Sequence, residues 1–236
     1  MLNEQVSTAE PWYYGTPRVR LAQYLPEGRI DSVLEVGCGS GATLSYLRAK
    51  FGVSHAMAIE ANSDAAELAL KTGAVDEVLV GDVDTHVSSL VGRRFDVIVA
   101  SHVLEHLFDP WKTARSLAAL LRPGGRLVGA MPNVRHASVT VPLVFGGRFS
   151  YTSAGIMDWT HIRFFTRQGM FQLLDQAGLK QIQVDPEIQG WKSKALNVMS
   201  AGLFRDFAAY AFTFCGVRGD DNSPGTSTPA TDFVPT

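Results

Sequence analysis

Short apolar runs alternate with stretches of helical period along most of the chain. Residues 32–36 (SVLEV), 55–59 (HAMAI), 77–80 (EVLV), 95–100 (FDVIVA) and 126–131 (RLVGAM) predict five strands. Their nearly continuous apolar character suits strands covered on both faces rather than one. Helices are predicted between them. One runs from Gly41 to Phe51; another is capped by Asn62 or Ser63 and reaches Thr72, with Gly73 as its stop. A short helix is expected within 87–91, and another over Trp111 to Leu121 with Pro110 in its first turn. Strand and helix in strict alternation predict right-handed βαβ units and therefore an α/β fold with a parallel sheet.

The alternation breaks after the fifth strand. Residues 132–165 show no clear period and hold Gly146, Gly147, Gly155 and many aromatics. An irregular segment of that length inside a compact domain usually serves function. Periodicity returns with a capped helix over Thr166 to Ala177 ended by Gly178, then a sixth strand over 181–188. An amphipathic stretch over 193–209, with Leu203, Phe204 and Phe207 at helical spacing, reads either as a sheet-covering helix or as a dimer face. A last apolar strand follows at 210–217. At the other end, a loose start and an aromatic-rich arm lead into a short helix over 18–25. The expected organisation is an arm and cap helix over 1–30, a catalytic domain over 31–218 with an acceptor-side insertion at 133–165, and a disordered tail over 219–236.

Composition narrows the classes. The chain has 236 residues, of which 46% are hydrophobic and 19% charged, as in a globular domain with a large core. The net charge is -2 and no basic run of five or more occurs, so no nucleic-acid partner is expected. No apolar run is long enough for a membrane span, and the beginning, with Glu4 and Glu10, does not read as a signal peptide. Cys38 and Cys215 lack metal-like spacing and read as reduced thiols of a cytoplasmic protein.

The candidate chemistry centres on Val33-Leu34-Glu35-Val36-Gly37-Cys38-Gly39-Ser40-Gly41-Ala42-Thr43. A buried strand, a glycine turn and a helix start present free N–H groups to a ligand. Glu60 closes the second strand, where an acid can accept from both hydroxyls of a ribose. Glu35 lies inside the first strand, where a pyrophosphate would find its charge unwelcome and a sulfonium or ammonium centre would not. Asp82, after the third strand, can accept from an adenine amino group. Three acids at neighbouring strand ends suit a phosphate-free adenosine cofactor with a positive centre.

These motifs resemble those of class I S-adenosylmethionine-dependent methyltransferases. VLEVGCGSG resembles their first motif, AIEAN the second-strand acid and GDVD the third. FDVIVASHVLEHLFDP resembles the fourth-strand motif, and LLRPGGRLVGAMPN the turn and fifth strand. The resemblance covers about residues 13–217 and keeps the family order. It implies a Rossmann-like, doubly wound, mostly parallel seven-stranded sheet with an antiparallel last strand. It implies S-adenosyl-L-methionine contacts at Glu35, Gly37, Cys38, Gly39, Gly41, Glu60, Ala61, Asp82, Val83, Ser101 and His102. Tyr13 or Tyr14 either closes over the cofactor or packs as part of an apolar arm.

The acceptor side offers alternatives. An acceptor hydroxyl needs a general base, and imidazole titrates in the right range. His136 follows the fifth strand; His161 lies in Asp158-Trp159-Thr160-His161-Ile162-Arg163-Phe164-Phe165-Thr166. That block resembles the D-x-T-H-x-R-F-F-T signature of a branch linked to glycan and small-molecule tailoring. Asp158 and His161 read either as orienter and base or as residues that pin the insertion. Phe145, Phe149, Tyr151 and Trp159 read either as an acceptor lid or as the insertion's own core. His102-x-x-Glu105-His106 matches an inverted zinc-protease pattern, but the sequence places no third ligand, so no metal is expected. The expected activity is O-methylation of a sugar, a glycan intermediate or a small metabolite. N-methylation of an amino sugar or small amine, an NAD-dependent oxidoreductase and a non-catalytic cofactor-binding protein are the alternatives, and a homodimer is compatible with each.

Overall fold

A computed structural model describes residues 15–191 and 204–220. Its centre is a seven-stranded sheet in the order β3-β2-β1-β4-β5-β7-β6. The strands are β1 (Ser32–Val36), β2 (His55–Glu60), β3 (Glu77–Val80), β4 (Phe95–Ser101), β5 (Leu121–Pro132), β6 (Leu179–Glu187) and β7 (Ala211–Arg218). β1 to β5 pair in parallel, and β7 runs antiparallel to both β5 and β6. The doubly wound sheet with its reversed last strand is thus present as expected.

The period of two along each strand divides the core. Leu34, Val36, Met57, Ile59, Ile98 and Ala100 face one apolar cluster; Val33, Ala56, Ala58, Val97, Val99 and Val128 face another. The first cluster is closed by α3 (Val83–Ser89), α4 (Pro110–Leu120) and α6 (Arg167–Gln176); the second by α1 (Ala42–Phe51), α2 (Ser63–Lys71) and a 3-10 segment over Val19–Tyr24. Two-sided cover is why the central strands read as continuous apolar runs. It also dictates the fate of Glu35, which shares the face of Val33 and is 3% exposed.

Local chemistry sets the helix ends. The Asn62 side chain accepts from the Ala65 N–H, Asp82 caps α3, Asp109 caps α4 and Thr166 caps α6. The 3-10 segment is held through Tyr24, whose hydroxyl lies 2.9 Å from Asp185 Oδ2 and 2.8 Å from Thr213 Oγ1. Burial drives that phenol up to about 12.

Two expectations require correction. The irregular segment contains a helix, α5 (Ala137–Gly146), which the periodicity missed. Its sequence, ASVTVPLVFG, is apolar on every side and contains Pro142, so it lacks the polar face that marks a surface helix. The segment's own core is also different: Val139, Ile156 and Met157 form it, with Val134, Phe164 and Tyr210 packed against them. Phe145 and Trp159 are 86% and 66% exposed and take no part in it. A short α7 (Arg205–Ala208) precedes β7; residues 1–14 of the arm, 192–203 of the amphipathic stretch and 221–236 of the tail lie outside the described residues.

Candidate functional site

The site lies at the carboxyl ends of β1, β2 and β4, beside the point where the strand order reverses. Such crevices are where open α/β sheets take ligands. The turn after β1 depends on its glycines. Gly37, Gly39 and Gly41 have φ of 69°, 53° and 79°, in the left-handed region. A Cβ on Gly37 would meet Val103 Cγ2 at 2.7 Å, and one on Gly41 would meet Ala74 Cβ at 2.4 Å. The absence of those Cβ atoms lets the turn lie close against Val103, after β4, and against Ala69 in α2 and Ala74 just after it.

Glu60 braces the turn from the end of β2. Its Oε2 accepts from the Gly39 N–H at 2.8 Å and its Oε1 from the Asn62 N–H at 2.9 Å. Each oxygen keeps a further lone pair for a ligand hydroxyl. Glu35 is only half satisfied: the Thr43 hydroxyl and the Leu44 N–H donate to its carboxyl, but its buried Oε2 has no partner among the described residues. Burial raises its carboxyl to about 8; the Thr43 hydroxyl lowers it in part, the Glu60 charge raises it further and the Arg18 charge lowers it. A buried carboxylate of this kind asks for a cation. Cys38 is buried beside them, and burial together with Glu35 and Glu60 drives its thiol upward, so it stays neutral.

Asp82 is exposed at the end of β3, and its Oδ1 accepts from the Asp84 and Thr85 N–H groups. Its capping role therefore engages one oxygen. Ala61 is exposed after Glu60, and Val83 is buried at the start of α3. Ser101 ends β4 with a buried hydroxyl that lacks a partner among the described residues. His102 follows with φ 56°, a left-handed conformation that costs a residue with a Cβ of order 1–2 kcal/mol. Outliers of this kind cluster at functional sites. Tyr14 lies outside the described residues.

Behind this crevice the structure gathers groups that the sequence left separate. Glu105 is fully buried, with Oε1 3.2 Å from His102 Nδ1 and 4.0 Å from His161 Nε2. Its Oε2 has no partner among the described residues. Burial alone would raise the carboxyl, but the His102 hydrogen bond and the neighbouring histidine charges outweigh it and hold it low. His106 and His161 meet edge to face at 4.7 Å. Burial pushes the His106 imidazole down, against the pull of Glu105. The Glu105 carbonyl accepts from both the Ile162 and Arg163 N–H groups, which locks the two segments together.

Hydrogen bonds distinguish the roles left open for the remaining acceptor-side candidates. Asp158 Oδ1 accepts from the N–H and the hydroxyl of Thr160, at 2.8 and 2.6 Å, and so shapes a turn rather than orienting His161. The His161 ring instead bonds the Ile156 carbonyl at 2.9 Å through Nδ1. His136 caps α5 and packs on Tyr210, away from Glu105. Arg163 donates to the Phe108 carbonyl at 2.6 and 3.0 Å. Within the D-x-T-H-x-R block, then, the acid and the base pin backbone, while the histidine enters the cluster. Asn133, fully buried, donates to the carbonyls of Asp206 and Ala209 and accepts from the Arg135 N–H. A separate groove of about 500 Å³ opens over the insertion, between Val139, Phe149, Ile156 and Tyr210.

Comparison with known proteins gives consistent matches. The family profile described as "Methyltransferase domain" matches residues 12–184. An enzyme of Ruegeria pomeroyi named ubiquinone biosynthesis O-methyltransferase is 30% identical over 154 residues, covering 64% of this chain and 60% of that protein. The chain thus spans less than two thirds of that relative's length. A protein of the same name from Dinoroseobacter shibae is 30% identical over 185 residues, covering 72% of each. Among solved structures, a SAM-dependent methyltransferase of Archaeoglobus fulgidus superposes with a TM-score of 0.66 at 16% identity. That match covers 92% of this chain and 98% of the other, a likeness of fold.

Proposed function

The chain belongs to the methyltransferase-domain family, and on that premise we propose that it moves the sulfonium methyl group of S-adenosyl-L-methionine to an acceptor hydroxyl. The observation that carries the donor half is the buried carboxyl of Glu35 beside the glycine turn, whose Oε2 has no partner among the described residues. A positive ligand supplies the missing partner, whereas a dinucleotide pyrophosphate would add charge of the same sign. Glu60 offers its remaining lone pairs to the ribose, Asp82 its free oxygen to the adenine, and the N–H groups of the turn face the methionine end. No helix among the described residues is long and apolar enough to cross a membrane.

Methyl transfer is a direct displacement at the sulfonium carbon. The methyl–oxygen bond forms as the methyl–sulfur bond breaks, and the hydroxyl proton leaves to a base. Alignment supplies much of the rate. For the base, the geometry favours His161 over His136. The Nδ1 of His161 is committed to a carbonyl, leaving Nε2 free and aimed at Glu105, whereas His136 is engaged as a helix cap. The names of the relatives from Ruegeria and Dinoroseobacter support oxygen as the acceptor atom. We read residues 133–165 as the acceptor-side insertion and a sugar, glycan intermediate or small metabolite as the acceptor. Its groove and the stacked rings of Tyr151 and Trp159, 5.7 Å apart, support that reading.

Calorimetry with S-adenosylhomocysteine and NAD tests the donor, and preferential NAD binding would overturn it. A screen of hydroxyl and amine acceptors with labelled S-adenosylmethionine tests the acceptor. Labelling confined to amines would replace O- with N-methylation.

A further inference from the structure

We propose that Glu105, His106 and His161 form a binding site for a divalent transition-metal ion of the zinc class. The sequence pattern His102-x-x-Glu105-His106 offers ligand residue types but no third ligand. The fold provides it from the insertion: one ligand atom from each of Glu105, His106 and His161 lies within 4.8 Å of the others. Two imidazoles and a carboxylate, with a position left open, form a donor set that zinc accepts at catalytic sites.

The hydrogen bonds fix the protons. His106 Nδ1 lies 3.1 Å from the Thr160 carbonyl, and His161 Nδ1 lies 2.9 Å from that of Ile156. A carbonyl oxygen can only accept, so each Nδ1 carries the hydrogen and each Nε2 presents a lone pair. Metal-bound histidines are oriented in this way by backbone carbonyls behind them. Glu105 brings its carboxylate to the same group of atoms: Oε1 lies 4.0 Å from His161 Nε2 and takes the His102 N–H, while the buried Oε2 has no partner among the described residues. Lone pairs from three side chains therefore converge in a water-poor place, and no donor among the described residues answers Oε2. A cation resolves that arrangement.

The surrounding backbone is built to hold such a point. The Glu105 carbonyl binds two successive N–H groups of the His161 segment. Ligand atoms around tetrahedral zinc stand about 3.3 Å apart, so the three side chains close inward on binding. Val103, two residues before Glu105, lies close against Gly37, which sets the ion near the donor crevice. That last placement rests on the methyl-transfer reading; the binding of the ion does not. With the ion bound, His161 acts as a ligand instead of a base.

The test uses the full chain, stripped with a chelator and titrated with Zn²⁺ by calorimetry and with Co²⁺ by visible absorption, without any methyl donor. One equivalent should bind, and the Co²⁺ complex should show the intense bands of a four- or five-coordinate site. His161→Gln and Glu105→Gln should each weaken Zn²⁺ binding at least 100-fold, while the exposed His55→Ala should leave it unchanged. Absence of stoichiometric Zn²⁺ binding, a Co²⁺ spectrum of the hydrated ion in the unmutated chain, or equal affinity in His161→Gln would overturn the proposal. The unmutated chain's spectrum decides the matter even if a variant fails to fold. S-adenosylhomocysteine binding, measured separately, reports on the donor reading alone.

Discussion

Replacing Glu35 with Gln isolates the energetic signature of the donor crevice. In the folded protein the carboxyl titrates near 8, against 4.5 for an unburied one. Between those values the folded chain holds a proton that the unfolded chain has released. Stability contributed by this group is therefore undiminished below 4.5 and falls as pH rises toward 8. Over pH 5 to 8 the loss amounts to about 3 kcal/mol. Glu35→Gln, which neither gains nor loses that proton, should lack this slope. The assay is urea denaturation of both proteins at matched pH values, comparing the difference between them so that other titrating groups cancel. The two should converge near pH 5, offset only by the exchange of side chain, and diverge by about 3 kcal/mol at pH 8 in favour of the variant. A cationic cofactor should reverse the preference. It ionises Glu35, so S-adenosylmethionine binding at pH 7 should release close to one proton, seen as a dependence of the calorimetric heat on buffer, and Glu35→Gln should release none. Parallel stability curves, or equal proton release, would refute the reasoning that this carboxyl holds its proton until the cofactor arrives.

Glu60→Gln should weaken S-adenosylhomocysteine binding by about 10- to 100-fold, the worth of charge-assisted hydrogen bonds, because one brace of Gly39 is exchanged for an amide donor facing another donor; titration calorimetry measures this. Gly41→Ala should cost about 2–4 kcal/mol in chemical denaturation, from left-handed strain and the clash with Ala74 together. Asn133→Ala should cost about 2–3 kcal/mol, since it strands the carbonyls of Asp206 and Ala209 and the Arg135 N–H, and a change below 0.5 kcal/mol would mean water replaces them. His136→Ala should lower stability by about 1 kcal/mol as a lost cap while leaving S-adenosylhomocysteine affinity unchanged.

Much of this protein is determined locally. The strands over 32–36 and 55–60, the glycine turn, and the caps at Asn62 and Thr166 follow from period, propensity and side-chain reach within a few residues. The position of Glu35 and Glu60 near strand ends follows from the same local rules, while the strand order that brings those ends together is tertiary. Helix α5 escaped because its apolar residues surround it, leaving no period to read. The acceptor side was legible only as a set of residue types. Whether Asp158 orients an imidazole or folds a turn, and whether His136 faces a ligand or caps a helix, depends on which hydrogen bond the packed chain satisfies first. The meeting of Glu105 and His106 with His161 depends on a long-range contact, the paired N–H groups of Ile162 and Arg163 on the Glu105 carbonyl. Sequence spacing carries no trace of that contact, because the loop between the two segments is free to close in many ways until the sheet and its insertion select one.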